Sequence, residues 1–217
     1  MKKSSTLLLT SAATFLALQS SSNAAVIDLS TGSTAAQSTQ LGGFAATNAL
    51  DDVVNFTHTL SSDTNPTWQV LLPESQTFGL VEAFNREASD GILGCCPSRF
   101  RDITIEIVDF AGDPNSDFTG GTVVFSSGLL NPENVLGGGT NTSGPVSVSA
   151  TPGGAIGNMI RITRTIDDDL SGSGGLGNAD EGRVLSIDLV TANTIPEPSS
   201  AILGMFGLLA FGLRRHR

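Results

Sequence analysis

Short segments that alternate apolar and polar residues, separated by turn-forming residues, constrain this chain more than any other feature. "ITIEIVDF" sets Ile103, Ile105 and Ile107 on one side and Thr104 and Glu106 on the other. "NMIRITRT" turns Ile160 and Ile162 inward and Arg161 and Thr163 outward, and "RVLSIDLV" repeats the pattern with Leu185, Ile187 and Leu189. Successive side chains of a strand point to opposite faces, so each segment reads as a half-buried strand. "VIDLS", "WQVLLP", "FGLVEAF", "TVVFSS" and "PVSVSA" add further strands, and "GDPNSDFTGG", "NPENVLGGGTNTSGP" and "SGSGGLGNADEG" separate them with turn residues. No window between the two termini keeps a helical period, and no internal repeat is present. The pattern predicts one all-β sandwich or jelly roll over residues 25–194.

Both ends have a different design. Lys2 and Lys3 precede an apolar stretch from Leu7 to Leu18, and Ser22-Asn23-Ala24 follows as a small-x-small cleavage site. This is the layout of a secretory signal peptide over residues 1–24, cut after Ala24. At the other end, residues 195–217 contain Pro196-Glu197-Pro198, an apolar run from Ala201 to Leu213 that predicts a short helix, and Arg214, Arg215, His216 and Arg217. The run is short for a bilayer span of about 20 residues, and the arginines would hold its end on the cytoplasmic side. The tail resembles the PEP-CTERM sorting signal of exopolysaccharide-producing bacteria. That resemblance implies transient membrane anchoring, recognition by an exosortase, and release to the envelope or surface matrix.

Charge narrows the partners. Between residues 25 and 194 the basic residues are six arginines (Arg86, Arg99, Arg101, Arg161, Arg164 and Arg183), set against twenty acidic residues. Such a surface repels nucleic acid and anionic lipid, whose binding needs basic footprints. The same span holds one histidine, His58, and the chain's two cysteines, Cys95 and Cys96, so a closed zinc site is excluded. Neighbouring Cα atoms lie about 3.8 Å apart, shorter than ordinary disulfide spacing. Outside the cytoplasm the pair is expected either as a strained vicinal disulfide or as two buried thiols.

The stretch Ala46 to Asp109 supplies the candidate site. Asn48-Ala49-Leu50-Asp51-Asp52, then His58, Asn65-Pro66-Thr67-Trp68, Asn85-Arg86, Cys95-Cys96 and Arg99 follow one another in an order that resembles the fucose-binding F-type lectins. These are discoidin-like jelly rolls, and a weaker echo of their last strand is present at "RVLSIDLV". The resemblance implies a non-catalytic, fucose-type glycan site in which His58, Arg86 and Arg99 donate to sugar hydroxyls. The Cys95–Cys96 disulfide would offer a flat platform for the sugar's apolar face. It also implies a structural calcium near Asn48, Asp51 and Asn55, with Asp188 as a further ligand.

Each residue carries a second reading. His58 could cap a turn after Phe56, Arg86 could pair with Glu82 or Glu87, Arg99 could pair with Asp102, and Trp68 fits a core position. Ala88 stands where the lectins have an aspartate, which keeps open a structural matrix protein with the lectin fold and no sugar binding. "DPNSDFTGG" begins like a calcium loop but has Phe118 where glycine is required. A hydrolase is disfavoured: no paired-carboxylate motif is recognisable, and no Gly-x-Ser-x-Gly elbow is present.

Overall fold

The computed structural model describes residues 24–51, 55–86, 99–139, 144–166 and 183–195. Two antiparallel sheets make the expected all-β sandwich. The strands are β1 (Thr34–Gln37), β2 (Thr67–Phe78), β3 (Leu80–Asn85), β4 (Ile103–Asp109), β5 (Thr122–Ser126), β6 (Ser147–Ala150), β7 (Ala155–Arg164) and β8 (Ile187–Asn193). The larger sheet runs β1-β2-β7-β4-β5 and the smaller β6-β3-β8.

Alternation explains the central strands. Ile105 stands opposite Ile162, and Ile107 opposite Ile160. Trp68 and Val70 face Ile162 and Ile160 from the other neighbouring strand. These residues join Phe78, Val81, Ala83, Leu185 and Ile187 in one core cluster drawn from both sheets. Burial of this apolar surface is the main favourable term of the fold. Trp68 is a core residue, fully buried, and its indole Nε1 donates to the Ala46 carbonyl at 2.8 Å.

The chain passes from one sheet to the other at Gly79, between β2 and β3. A Cβ there would stand 2.6 Å from the Thr194 carbonyl oxygen, so only glycine permits this approach. Register slips in β2 between Leu71 and Gln76, the stretch that contains Pro73, which has no N–H to give a ladder.

Several elements differ from the sequence pattern. β2 extends through the polar Glu74–Thr77, with its pairing to β7 resuming at Gln76. β1 is a strand that the alternation did not mark. "VIDLS" supplies only a bridge between Val26 and Asn193. "RVLSIDLV" becomes regular strand only from Ile187. The signal peptide, Pro196, Glu197, Pro198 and the apolar tail lie outside the described residues, as do Cys95 and Cys96. Among the described residues, no helix is long and apolar enough to cross a membrane.

Candidate functional site

The site forms where the segment Asn55–Leu60 runs beside the start of β8. Thr57 N donates to the Ile187 carbonyl at 2.7 Å and Thr59 N to the Leu185 carbonyl at 3.0 Å. In return, Ile187 N donates to Thr57 Oγ1 at 3.0 Å and Leu185 N to Thr59 Oγ1 at 2.9 Å. Threonine hydroxyls thus replace backbone carbonyls on one side of the ladder, so the segment is strand-like without being a regular strand. This pairing fixes the intervening residue, His58.

His58 is buried, and its Nδ1 lies 2.7 Å from the Thr59 carbonyl oxygen. A carbonyl can only accept, so Nδ1 carries a proton. In the neutral ring Nε2 is then an acceptor. The ring centroid lies 6.0 Å from that of Phe44 and 6.3 Å from that of Phe56. Phe44 and Phe56 stack on each other, with centroids 4.4 Å apart and planes 17° from parallel.

Arg86 completes the cluster from the end of β3. Its guanidinium carbon stands 3.9 Å from the Phe56 ring centroid, a cation–π contact. β3 is buried at every second position through Asn85, so the chain delivers Arg86 to a half-buried position just as the strand ends. Glu82, one of its considered ion-pair partners, accepts a hydrogen bond from Ser147 Oγ at 2.6 Å. The structure therefore brings His58 and Arg86 together around Phe56. Phe44 and Phe56 were not marked as site residues, and no signal in the sequence distinguishes them from core aromatics.

Arg99 lies half-buried just before the entrance to β4. Asp102, considered as its partner, is paired instead with Arg101, whose Nε lies 3.5 Å from Asp102 Oδ2. Arg101 is fully buried. The basic concentration read from the sequence thus has one arginine committed to the interior.

The calcium candidates lie on or just after the Ala46–Ala49 turn (Asn48, Asp51), at Asn55 and on β8 (Asp188). The 3-10 turn Ala46–Ala49 packs against β8, which puts the elements carrying Asn48 and Asp188 side by side. Asn48 Nδ2 donates to the Phe56 carbonyl at 3.0 Å, which turns its Oδ1 away from that carbonyl. Asn55 Oδ1 accepts from Phe56 N at 3.0 Å and retains a second lone pair. Asp188 is buried and Asp51 exposed. Among the described residues, no group of three or more His, Cys, Asp or Glu could hold a metal ion. Any cation here would need amide or backbone oxygens beside the carboxylates of Asp51 and Asp188.

The "DPNSDFTGG" loop binds itself. Asp113 Oδ1 accepts from Asn115 N at 2.9 Å, and Asp117 Oδ1 from Thr119 N at 3.0 Å and Gly120 N at 2.6 Å. These bonds hold both carboxyls below the usual carboxylate range, with a smaller contribution to Asp117 from Arg161. The loop lies over the outer face of the large sheet: Gln69 Nε2 donates to the Pro114 and Asp117 carbonyls, and Arg161 Nη2 to the Gly120 carbonyl at 2.6 Å. Arg161 points outward as expected, but the loop covers it. Burial lowers its pKa, and Glu106 and Asp117 oppose that shift.

No protein-family model matches the sequence, and no curated protein matches it. Solved structures do match by shape. A histidine mutant of the lectin-binding domain of lectinolysin, complexed with Lewis b, is 19% identical with a TM-score of 0.54, covering 79% of this chain and 99% of that one. A fucose-binding module of Streptococcus pneumoniae is 18% identical with a TM-score of 0.50, covering 77% and 98%. A fucolectin from striped bass (Morone saxatilis) serum is 16% identical with a TM-score of 0.50, covering 77% of this chain and 47% of that one. Likeness at these identities shows the fold, a discoidin-like β-sandwich.

Proposed function

We propose that this chain is a non-catalytic carbohydrate-binding protein, exported and sorted to the cell surface or matrix, whose ligand is a glycan carrying a 6-deoxy sugar such as fucose. The observation that carries this reading is the guanidinium of Arg86 laid 3.9 Å over the Phe56 ring beside the buried His58. A sugar presents hydroxyls around an apolar face, and a site for it needs rigid polar groups beside apolar surface. The ring of Phe56 holds the Arg86 fork in place, and guanidinium N–H groups would donate to hydroxyl oxygens of the sugar. His58, with a proton on Nδ1, would meet a sugar hydroxyl through Nε2. Arg99 supplies a second fork, and a Cys95–Cys96 disulfide the flat platform. The neighbouring structures whose descriptions mention fucose binding or Lewis b support this reading through their shared fold.

Calcium belongs to the same proposal as a structural ion. Asn48 Oδ1, Asp51, the spare lone pair of Asn55 Oδ1 and Asp188 would contribute oxygens, and the ion would tie the Ala46–Ala49 turn to β8. No binding step is routed through it.

A glycan array probed with the purified protein tests the proposal. Fucosylated glycans should be retained, and the Arg99→Ala variant, still folded, should retain none. Equal retention by both proteins would remove Arg99 from the site, and no retention by the wild type would favour the matrix-protein reading. Export and sorting are tested by intact mass on protein taken from the cell surface. The chain should begin at Ala25 and lack Arg214 to Arg217. Its mass should rise by about two daltons on reduction, as a bond between two adjacent cysteines requires.

A further inference from the structure

We infer that Asn131, which lies outside every motif considered above, is the positioning residue for Arg99. The inference rests on Arg99 being a sugar donor. The chain is pinned at Phe100 and at Asp102. The Phe100 ring is buried in the core, and the Phe100 carbonyl accepts from Asn131 Nδ2 at 2.7 Å. Arg101 pairs with Asp102. Asp102 N donates to the Asn131 carbonyl at 3.2 Å, and Thr165 N donates to the Asp102 carbonyl at 2.9 Å. Arg99 is the residue at which exposure returns, one step before this anchored stretch.

The Asn131 side chain is the joint. Besides the Phe100 carbonyl, Nδ2 donates to Asn134 Oδ1 at 3.2 Å, and Oδ1 accepts from Leu136 N at 2.9 Å. One buried amide therefore ties the peptide between Phe100 and Arg101, one residue beyond Arg99, to the loop Pro132–Gly137. Leu130 adds a bridge to Ile103, locking the loop beside the start of β4.

The backbone around this joint is unusual. Asp102, Asn131, Glu133 and Asn134 have φ of 55°, 47°, 52° and 52°, and they are all the non-glycine residues with positive φ among those described. Such conformations are strained and persist only where the surroundings fix them. If the turn needed only a left-handed residue at 131, glycine would serve better. Glycine could make none of the three side-chain bonds.

Asn131→Gly separates the two roles, because it relieves the backbone and deletes the joint. Titration of the full protein with a fucose-terminated oligosaccharide should show binding at least tenfold weaker than wild type, while thermal unfolding stays cooperative. In an Arg99→Lys background, itself weakened, the same change should cost less than twofold, since it acts through the arginine. Binding within twofold of wild type, or an undiminished loss in the Arg99→Lys background, would overturn the role. Should Asn131→Gly not fold, amide exchange in the wild type decides. Saturating oligosaccharide should slow exchange at Leu136 N–H, the bond held by Asn131, and an unchanged rate would overturn the role. A wild type that binds no fucosylated glycan removes the sugar reading and this role with it. A wild type that binds beside an Asn131→Gly variant that binds equally well removes this role alone.

Discussion

A guanidinium lying 3.9 Å above the Phe56 centroid has exchanged water on one face for an aromatic ring. That contact is worth about 0.5–2 kcal/mol depending on desolvation, and its larger effect is to restrict where the Arg86 fork can point. Phe56→Leu keeps an apolar side chain in the buried position and removes the π face under Arg86 and beside Phe44. Urea denaturation should show a loss of no more than about 1.5 kcal/mol, while glycan affinity falls about tenfold. An unchanged affinity would mean that Arg86 is placed by other contacts. At this scale the sequence was informative where chemistry is rare: His58 is the one histidine of the domain, and Arg86 is one of six arginines. It was silent on Phe44 and Phe56, because nothing in an aromatic residue's spacing distinguishes a ring under a guanidinium from a ring in the core. Arg101 was misleading for the converse reason, since burial next to Asp102 cannot be read from two neighbouring letters.

At the scale of elements, the segment from Thr57 to Thr59 shows why strand boundaries were the least legible feature. Its ladder to Leu185 and Ile187 uses hydroxyls as acceptors, a pairing that alternation of apolar residues does not reveal. Thr57→Val and Thr59→Val preserve shape and leave Ile187 N–H or Leu185 N–H without its acceptor. Each should cost about 1–3 kcal/mol in chemical denaturation and loosen His58 between them. Losses below about half a kilocalorie would show that the hydroxyls are not part of the ladder. The Asp113–Gly120 loop gives a pH-dependent prediction. The Asp117 carboxyl is held below its ordinary value by the Thr119 and Gly120 amides, then by Arg161. A depressed carboxyl stabilises the fold above its unfolded pKa, near 4, and that contribution is lost as pH falls through the lower folded value. Asp117→Asn, which still accepts hydrogen bonds but cannot ionise, should be less stable than wild type at pH 7. It should then lose less stability than wild type between pH 4 and pH 2. Parallel acid-denaturation curves would contradict the assigned bonds.

For the whole molecule, period-two alternation was enough to specify an all-β sandwich, because burying one face of each strand leaves few alternatives. Which strands neighbour which was not legible, since β2, β7 and β4 lie side by side through contacts far apart in sequence. The two ends of the domain meet: Thr194 N donates to the Ala25 carbonyl at 2.8 Å, and Ala25 N to Thr194 Oγ1 at 3.1 Å. The residue that follows the expected signal cleavage is therefore paired two positions ahead of Pro196. With twenty acidic residues against six arginines between residues 25 and 194, a neutral glycan is a better partner for this surface than a polyanion. The measurement that bears most directly on that claim is calorimetric titration of a fucose-terminated oligosaccharide into wild type and Arg99→Ala at matched thermal stability. The account predicts saturable binding by the wild type and none by the variant, since a charged donor bond worth about 1.5–3 kcal/mol is removed. Binding of equal affinity by both proteins, or by neither, would contradict it.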